Sequence, residues 1–205
     1  MAGDITKERT IVLLKPDGVK RGLVGEVLSR FEKMGLKIVA LKMVWVDKDM
    51  AQKHYPDSRT ELMRGIGEKT LKTYEKYGRD PHEEFGTLDP ETIGKMVNQW
   101  NIDFITSGPV VAVLFEGLHA IDNVRMVAGN TLPVFAESGT IRGDYSVDSP
   151  ALANRDKRAV RNIIHASGNE EEAKYEAQLW FRENEIHSYI RADEAVMYGK
   201  SGRSR

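Results

Sequence analysis

The chain contains no cysteine among its 205 residues. That excludes disulfides, thiolate zinc sites and a cysteine nucleophile, and it agrees with a reducing cytoplasmic setting. Charge of one sign is lacking too: 30 lysines and arginines oppose 31 aspartates and glutamates, a formal net charge of -1. Bulk attraction to nucleic acid or to a membrane surface is therefore not expected. No apolar stretch approaches the length that crosses a bilayer. The opening residues MAGDITKERT carry no apolar run after their charges, so no secretory signal is expected there. No internal repeat is visible. His54, His82, His119, His165 and His187 are scattered, with no H-x-x-x-H pair to set two rings on one helix face. Packing or surface roles are the default for all of them but His165.

What is present is enough apolar residue, 40% of the chain, to bury one sizeable core. Thr10–Leu14 is a short apolar, β-branched run stopped by the turn sequence Lys15-Pro-Asp-Gly18. Val24, Val27, Leu28, Phe31 and Met34 then recur at helical spacing up to Gly35, and Leu36–Val46 returns as a strand. This is a β-α-β unit, and Asp47 caps a short helix running to about Tyr55. Residues 58–106 are polar and turn-rich, with Met96, Val97 and Trp100 on one helical face, and read as an inserted helical excursion. Pro109–Phe115 is a near-continuous apolar strand of the kind buried on both faces.

A helix through Ile121, Val124, Val127 and Ala128 follows, then a strand at Asn162–His165. The last helix starts at Glu170, where Asn169 and Glu172 make a capping-box-like start. The order predicts an α+β fold, a ferredoxin-like split β-α-β sandwich with helices on one face of an antiparallel sheet. One domain over 1–205 is expected, with insertions at about 58–106 and 149–158 and a disordered tail at 199–205.

Gly65-Ile-Gly-Glu-Lys-Thr70 imitates a phosphate loop, but the glycine spacing is incomplete and no buried strand precedes it. The plainer reading is a loop into a helix over Thr70–Tyr77. Lys15 at a strand end, Arg125 before Gly129-Asn-Thr131, and Arg142 in Thr140-Ile-Arg-Gly-Asp144 are each a solvated charge or an ion-pair partner when taken alone. With Asn162 and His165 they form the inventory of a triphosphate site: cations, hydroxyls, amides and one nucleophile. Position alone favours a core histidine at 165. Against that, His165 ends a strand before a helix N-terminus, where an anion is favoured. Glu176 lies two turns along that helix on the face of the cap, placed to hold the ring in one tautomer.

The segments TIVLLKPDGVKRGLVGEV, SGPVVAVLFEG, RMVAGNTLP, TIRGDY and NIIHAS, in that order, closely resemble nucleoside diphosphate kinase. The resemblance implies a ping-pong reaction. A nucleoside triphosphate phosphorylates His165, which passes the phosphoryl to another nucleoside diphosphate, with Mg2+ on the phosphates. It implies that Lys15 and Asn162 meet the ribose hydroxyls and the transferred phosphoryl, with Tyr55 near that group. Arg125, Thr131 and Arg142 would hold the remaining phosphates, Asp57 would stand near magnesium, and Ser167 with Glu176 would orient the histidine. ATP, GTP, GDP and other nucleotides are the implied partners, with few polar contacts to the base and hence wide tolerance.

A hexamer or a tetramer built from dimers is implied as well. Gly168 departs from the family's usual aspartate and Ala166 from its frequent glycine, so altered loop geometry is expected beside the nucleophile. The base-stacking phenylalanine has no secure match, Met63 being nearest by offset. A nucleotide-binding regulator with reduced turnover is the alternative. A nucleic-acid binder is disfavoured, because no exposed aromatic pair is interleaved with basic residues on a strand.

Overall fold

The structure, a computed structural model, describes residues 5–199. The tail expected to be disordered lies, but for Gly199, outside the described residues. β1 (Glu8–Leu14), α1 (Pro16–Lys20), α2 (Val24–Lys33) and β2 (Lys37–Trp45) open the chain. α3 (Lys48–His54), α4 (Thr60–Lys76), α5 (Pro81–Phe85) and α6 (Pro90–Ile105) precede β3 (Pro109–Gly117). α7 (Ala120–Ala128), α8 (Ile141–Tyr145) and α9 (Pro150–Arg155) lead to β4 (Ile164–Ala166). α10 (Glu170–Trp180) and α11 (Glu194–Met197) follow.

Local signals set most boundaries. The Asp47 carboxylate accepts the Met50 N–H at 2.8 Å and starts α3. Pro16, with its fixed φ and missing N–H, turns the expected Lys15–Gly18 turn into the first residues of α1. Asn169 caps α10 by accepting the Glu172 N–H at 2.9 Å. The Glu172 carboxylate reaches back to the N–H of Gly168 at 2.8 Å, one residue earlier than a capping box requires.

The strands lie in the order β2-β3-β1-β4, every neighbouring pair antiparallel. β1 and β2 therefore run in the same direction with β3 between them, which is the split β-α-β arrangement. Side chains alternate across the two central strands. Val12, Leu14, Val113 and Phe115 face Val27 and Phe31 of α2 and Val124 of α7. Ile11, Leu13, Ala112 and Leu114 face Ala51 of α3, Ile102 of α6 and Trp180 of α10. Helices thus cover both faces of the sheet, contrary to the expectation of one. The cause is already in β1 and β3, whose apolar residues are consecutive rather than alternating.

The excursion is helical, as expected, and carries its own small core of Tyr74, Phe85 and Ile93, against which Met96, Val97 and Trp100 pack. The imitation phosphate loop is not a loop at all. Gly65 and Gly67 lie inside α4, which runs unbroken from Thr60. A Cβ on Gly67 would stand 1.8 Å from the Pro90 carbonyl oxygen, and one on Gly94 would stand 1.8 Å from that of Met63. These glycines let α4 and α6 touch backbone to backbone. Met63 is fully buried, and so is no candidate for stacking on a base. The expected insertion at 149–158 is largely helical: Ser149 caps α9, whose Ala153 and Asn154 are buried.

Candidate active site

β4 is a short edge strand paired with β1, His165 lying opposite Leu13. The chain enters it through a bend: Ile163 has φ 69°, a left-handed conformation that is strained for a β-branched residue. The bend is held from three sides. Lys15 N–H donates to the Ile163 carbonyl at 2.8 Å, and Ile163 N–H donates to the Asp17 carboxylate at 3.0 Å. Ile164 N–H donates to the Asn162 carbonyl at 2.7 Å. Asn162 therefore sits before the strand, not within it as expected. Its amide oxygen accepts the Lys15 ammonium at 2.9 Å, while its amide nitrogen donates to the Thr131 carbonyl at 2.8 Å.

His165 Nε2 lies 2.7 Å from the Glu176 carboxylate, whose other oxygen accepts the Ser167 hydroxyl at 2.7 Å. Ser167 is fixed in turn by the Ile11 N–H at 3.3 Å. A carboxylate partner places the ring proton on Nε2 and leaves Nδ1 with a free lone pair. Burial opposes the Glu176 charge, but His165, His54 and Ser167 hold its carboxyl below the usual range, so it is ionised.

Beneath this pair lies His54, for which the sequence offers only a packing or surface role. Its ring is perpendicular to that of His165, with centroids 4.5 Å apart, and Trp180 Nε1 donates to its Nδ1 at 3.4 Å. Burial, reinforced by His165 and Lys15, pushes His54 down to about 3, so it stays neutral. The one sequence signal for it was its place beside Tyr55. Burial raises the Tyr55 phenol, which is therefore a neutral hydrogen-bonding group.

A cavity of about 520 Å³ is lined by Lys15, Tyr55, Thr131, Arg142, Asn162 and His165 among others. An adjoining one of about 230 Å³ adds Arg125, again with Thr131 and Arg142. Among the described residues, no aspartate or glutamate lines either. Arg142 is anchored through the carbonyls of Gly129 and Ile164 at 2.7 and 2.9 Å, and its buried Nε has no partner among the described residues. Burial and the neighbouring Arg125 lower it only to about 10, so it remains a cation. Lys15 and Arg142, both buried, with exposed Arg125 beside them and no carboxylate in the lining, make a site for a polyanion.

The structure thus brings together every expected site residue except Asp57. That residue is exposed and lines neither cavity; its charge acts on Lys95. At Gly168, an added Cβ would stand 2.7 Å from the Glu172 carboxylate and 3.4 Å from Arg125 Nη1. A carboxylate from one turn into α10 therefore occupies the neighbourhood that an aspartate at 168 would fill.

Fold and cleft together define an α+β protein with a histidine held by a carboxylate at the edge of a cationic, phosphate-sized cavity. The sequence pattern described as nucleoside diphosphate kinase matches residues 8–63 and 81–186. The nucleoside diphosphate kinase of Pyrobaculum aerophilum is 48% identical over 179 residues, 87% of this chain and 97% of the relative. That of Pyrococcus furiosus is 40% identical over 185 residues, 90% of this chain and 89% of the relative.

Among solved structures, an NDP kinase from Pyrobaculum aerophilum superposes with a TM-score of 0.86 at 45% identity, covering 89% of this chain and all (100%) of that one. The Borrelia burgdorferi nucleoside-diphosphate kinase, a transition state mimic with bound vanadate and ADP, superposes with a TM-score of 0.75 at 37% identity. It covers 95% of this chain and 99% of its own. The chain belongs to the nucleoside diphosphate kinase family. Its activity is transfer of the terminal phosphoryl of a nucleoside triphosphate to a nucleoside diphosphate.

Proposed function

We propose that the transfer runs in two displacements through His165. The observation that carries this is the 2.7 Å contact between Nε2 and Glu176, which leaves Nδ1 as the nucleophile of a ring lining the cavity. In the first displacement the Nδ1 lone pair attacks the γ-phosphorus, and the bond to the bridging oxygen breaks to release the diphosphate. In the second, a terminal oxygen of another diphosphate attacks the phosphorus and the N–P bond breaks. The proton stays on Nε2, donated to the Glu176 carboxylate throughout, and Ser167 holds that carboxylate in place. Arg142, Thr131 and Arg125 hold the phosphates that do not move, while Lys15, Asn162 and Tyr55 meet the sugar and the transferred group. Phosphoryl transfer needs positioning and charge stabilisation, which these groups supply.

Mg2+ would ride on the phosphates. The cavity's lining is cationic and neutral, so substrate oxygens and water would form its shell, as is common for this ion. Asp57 would act on it at most from outside the cavity. Initial-rate plots for two different nucleotides should give parallel lines; lines that converge would replace the phosphohistidine by direct transfer in a ternary complex.

Lys15 makes the site pH-sensitive. Burial lowers its ammonium to about 8, Asp17 pulling it up and Arg142 pushing it down further. Its charge is present below that value and lost above it. Accordingly, kcat/KM, which reports the free enzyme, should fall as pH rises through about 8. A Lys15→Arg enzyme, weaker but permanently charged, should stay flat over the same range.

One domain that assembles with copies of itself is our reading of the quaternary state, as a hexamer or a tetramer of dimers. Leu41, Met43 and Trp45 alternate along edge strand β2 with 49%, 60% and 71% of their surface exposed. An apolar row on a sheet edge invites pairing with another such edge. Met43→Glu should lower the mass found by sedimentation; an unchanged mass would remove β2 from the interface. Among the described residues no helix is long and apolar enough to cross a membrane. We place the protein in the cytoplasm, its lack of cysteine supporting this.

A further inference from the structure

Two chemically different groups of residues line the main cavity. The phosphate-binding group is described above. The other comes from α4, α6, α9 and the chain just after it, and includes Lys69, Asn101, Val97 and Val160. A nucleotide whose phosphates are engaged by Arg142 and Thr131 leaves its base to this second group.

Several polar side chains in that wall are already committed, and Asn154, whose amide nitrogen has no partner among the described residues, is buried. The Thr70 and Thr73 hydroxyls each donate to a carbonyl of their own helix at 2.9 Å, and Arg158 is paired with Asp148 at 2.6 Å. The Lys69 ammonium and the Asn101 amide are different. Among the described residues neither has a hydrogen-bond or ion-pair partner, although both line the cavity. Lys69 belongs to the very segment that imitates a phosphate loop.

We propose that Lys69 and Asn101 read the edge of the base and give a graded preference for keto bases, guanine and uracil, over amino bases, adenine and cytosine. The inference rests on the nucleotide-exchange reading above. An ammonium is a donor only, so it pairs with O6 of guanine or O4 of uracil and opposes the exocyclic amine of adenine or cytosine. The Asn101 oxygen accepts the adjacent ring N–H of a keto base. Its amide turns over to serve an amino base equally well, so Lys69 sets the sign of the preference. Val97 and Val160 offer apolar contact to any base. The preference is graded because Lys69 is exposed and water competes for it. The wide tolerance implied by few polar contacts to the base is thereby narrowed.

The test is calorimetric binding of GDP, ADP, UDP and CDP to the intact protein, comparing bases of equal size. GDP should bind about fivefold more tightly than ADP, and UDP about fivefold more tightly than CDP, the worth of one solvent-shared hydrogen bond. Lys69→Glu, an exposed substitution, presents an acceptor instead and should reverse both orders; Lys69→Arg should keep them. Equal affinities within each pair, or an order unmoved by Lys69→Glu, would overturn the proposal. A protein that exchanges phosphoryl groups but binds all four alike refutes the base preference alone. One that keeps the order but never forms a phosphoenzyme refutes the phosphohistidine alone.

Discussion

His165→Ala should lower nucleotide exchange by a factor on the order of 10^4 or more, because no other group can carry the phosphoryl. The other candidates in the cleft are unsuited. His54 is buried beneath the active ring with its Nδ1 taken by Trp180, and Tyr55 is a phenol that burial keeps neutral. Nucleotide binding should survive, since Lys15, Arg142 and Asn162 are anchored to the backbone or to one another rather than to His165. Calorimetry and exchange assays on the same preparation separate the two effects. Loss of binding in step with loss of exchange would mean that the ring holds up the cavity instead of reacting in it.

Glu176→Ala comes second. The variant loses the acceptor that keeps the proton on Nε2, so part of the His165 population carries its proton on Nδ1 and cannot attack. A fall in kcat on the order of 10^2- to 10^4-fold is expected, by the magnitude found when the carboxylate orienting a catalytic histidine is disabled. KM should change little, because Glu176 stands behind the ring and lines neither cavity. Stability should fall as well, by about 1–3 kcal/mol, as the Ser167 hydroxyl loses its acceptor in a buried place.

The pH dependence of that loss has a definite sign. The carboxyl is held below its unfolded value, so its contribution is present above the usual glutamate range and disappears as pH falls through the folded value. Wild type and Glu176→Ala should therefore converge in stability in acid. A variant with kcat intact and KM raised would place Glu176 in substrate binding.

The parts of this site that were legible in the sequence were those written in local spacing. The apolar runs of β1 and β3 marked the centre of the sheet, and Asn169 marked the start of α10. Counting two helical turns from that cap put Glu176 on the side where it meets His165. What spacing could not show was depth. His54 ends α3 in the polar run KDMAQKH and looks like a surface residue, yet the turn of α3 against α10 buries it below the active ring.

The Ile163 bend was equally hidden, since a β-branched residue is the last choice for a left-handed position; contacts from Lys15 and Asp17, far away in sequence, impose it. The glycines of α4 misled for a related reason. Glycine in a short polar motif suggests freedom of φ, whereas Gly67 serves close helix contact. Asp57 lines neither cavity, since a position carried over by resemblance fixes order along the chain, not direction in space.

The most direct measurement is to incubate the protein with γ-labelled ATP, isolate it, and map the label by peptide mass spectrometry. Acid-labile phosphate on the His165 peptide, discharged on adding a nucleoside diphosphate and absent from His165→Ala, is the predicted result. Brisk exchange with no label on that peptide, or with the same label in His165→Ala, would contradict the account.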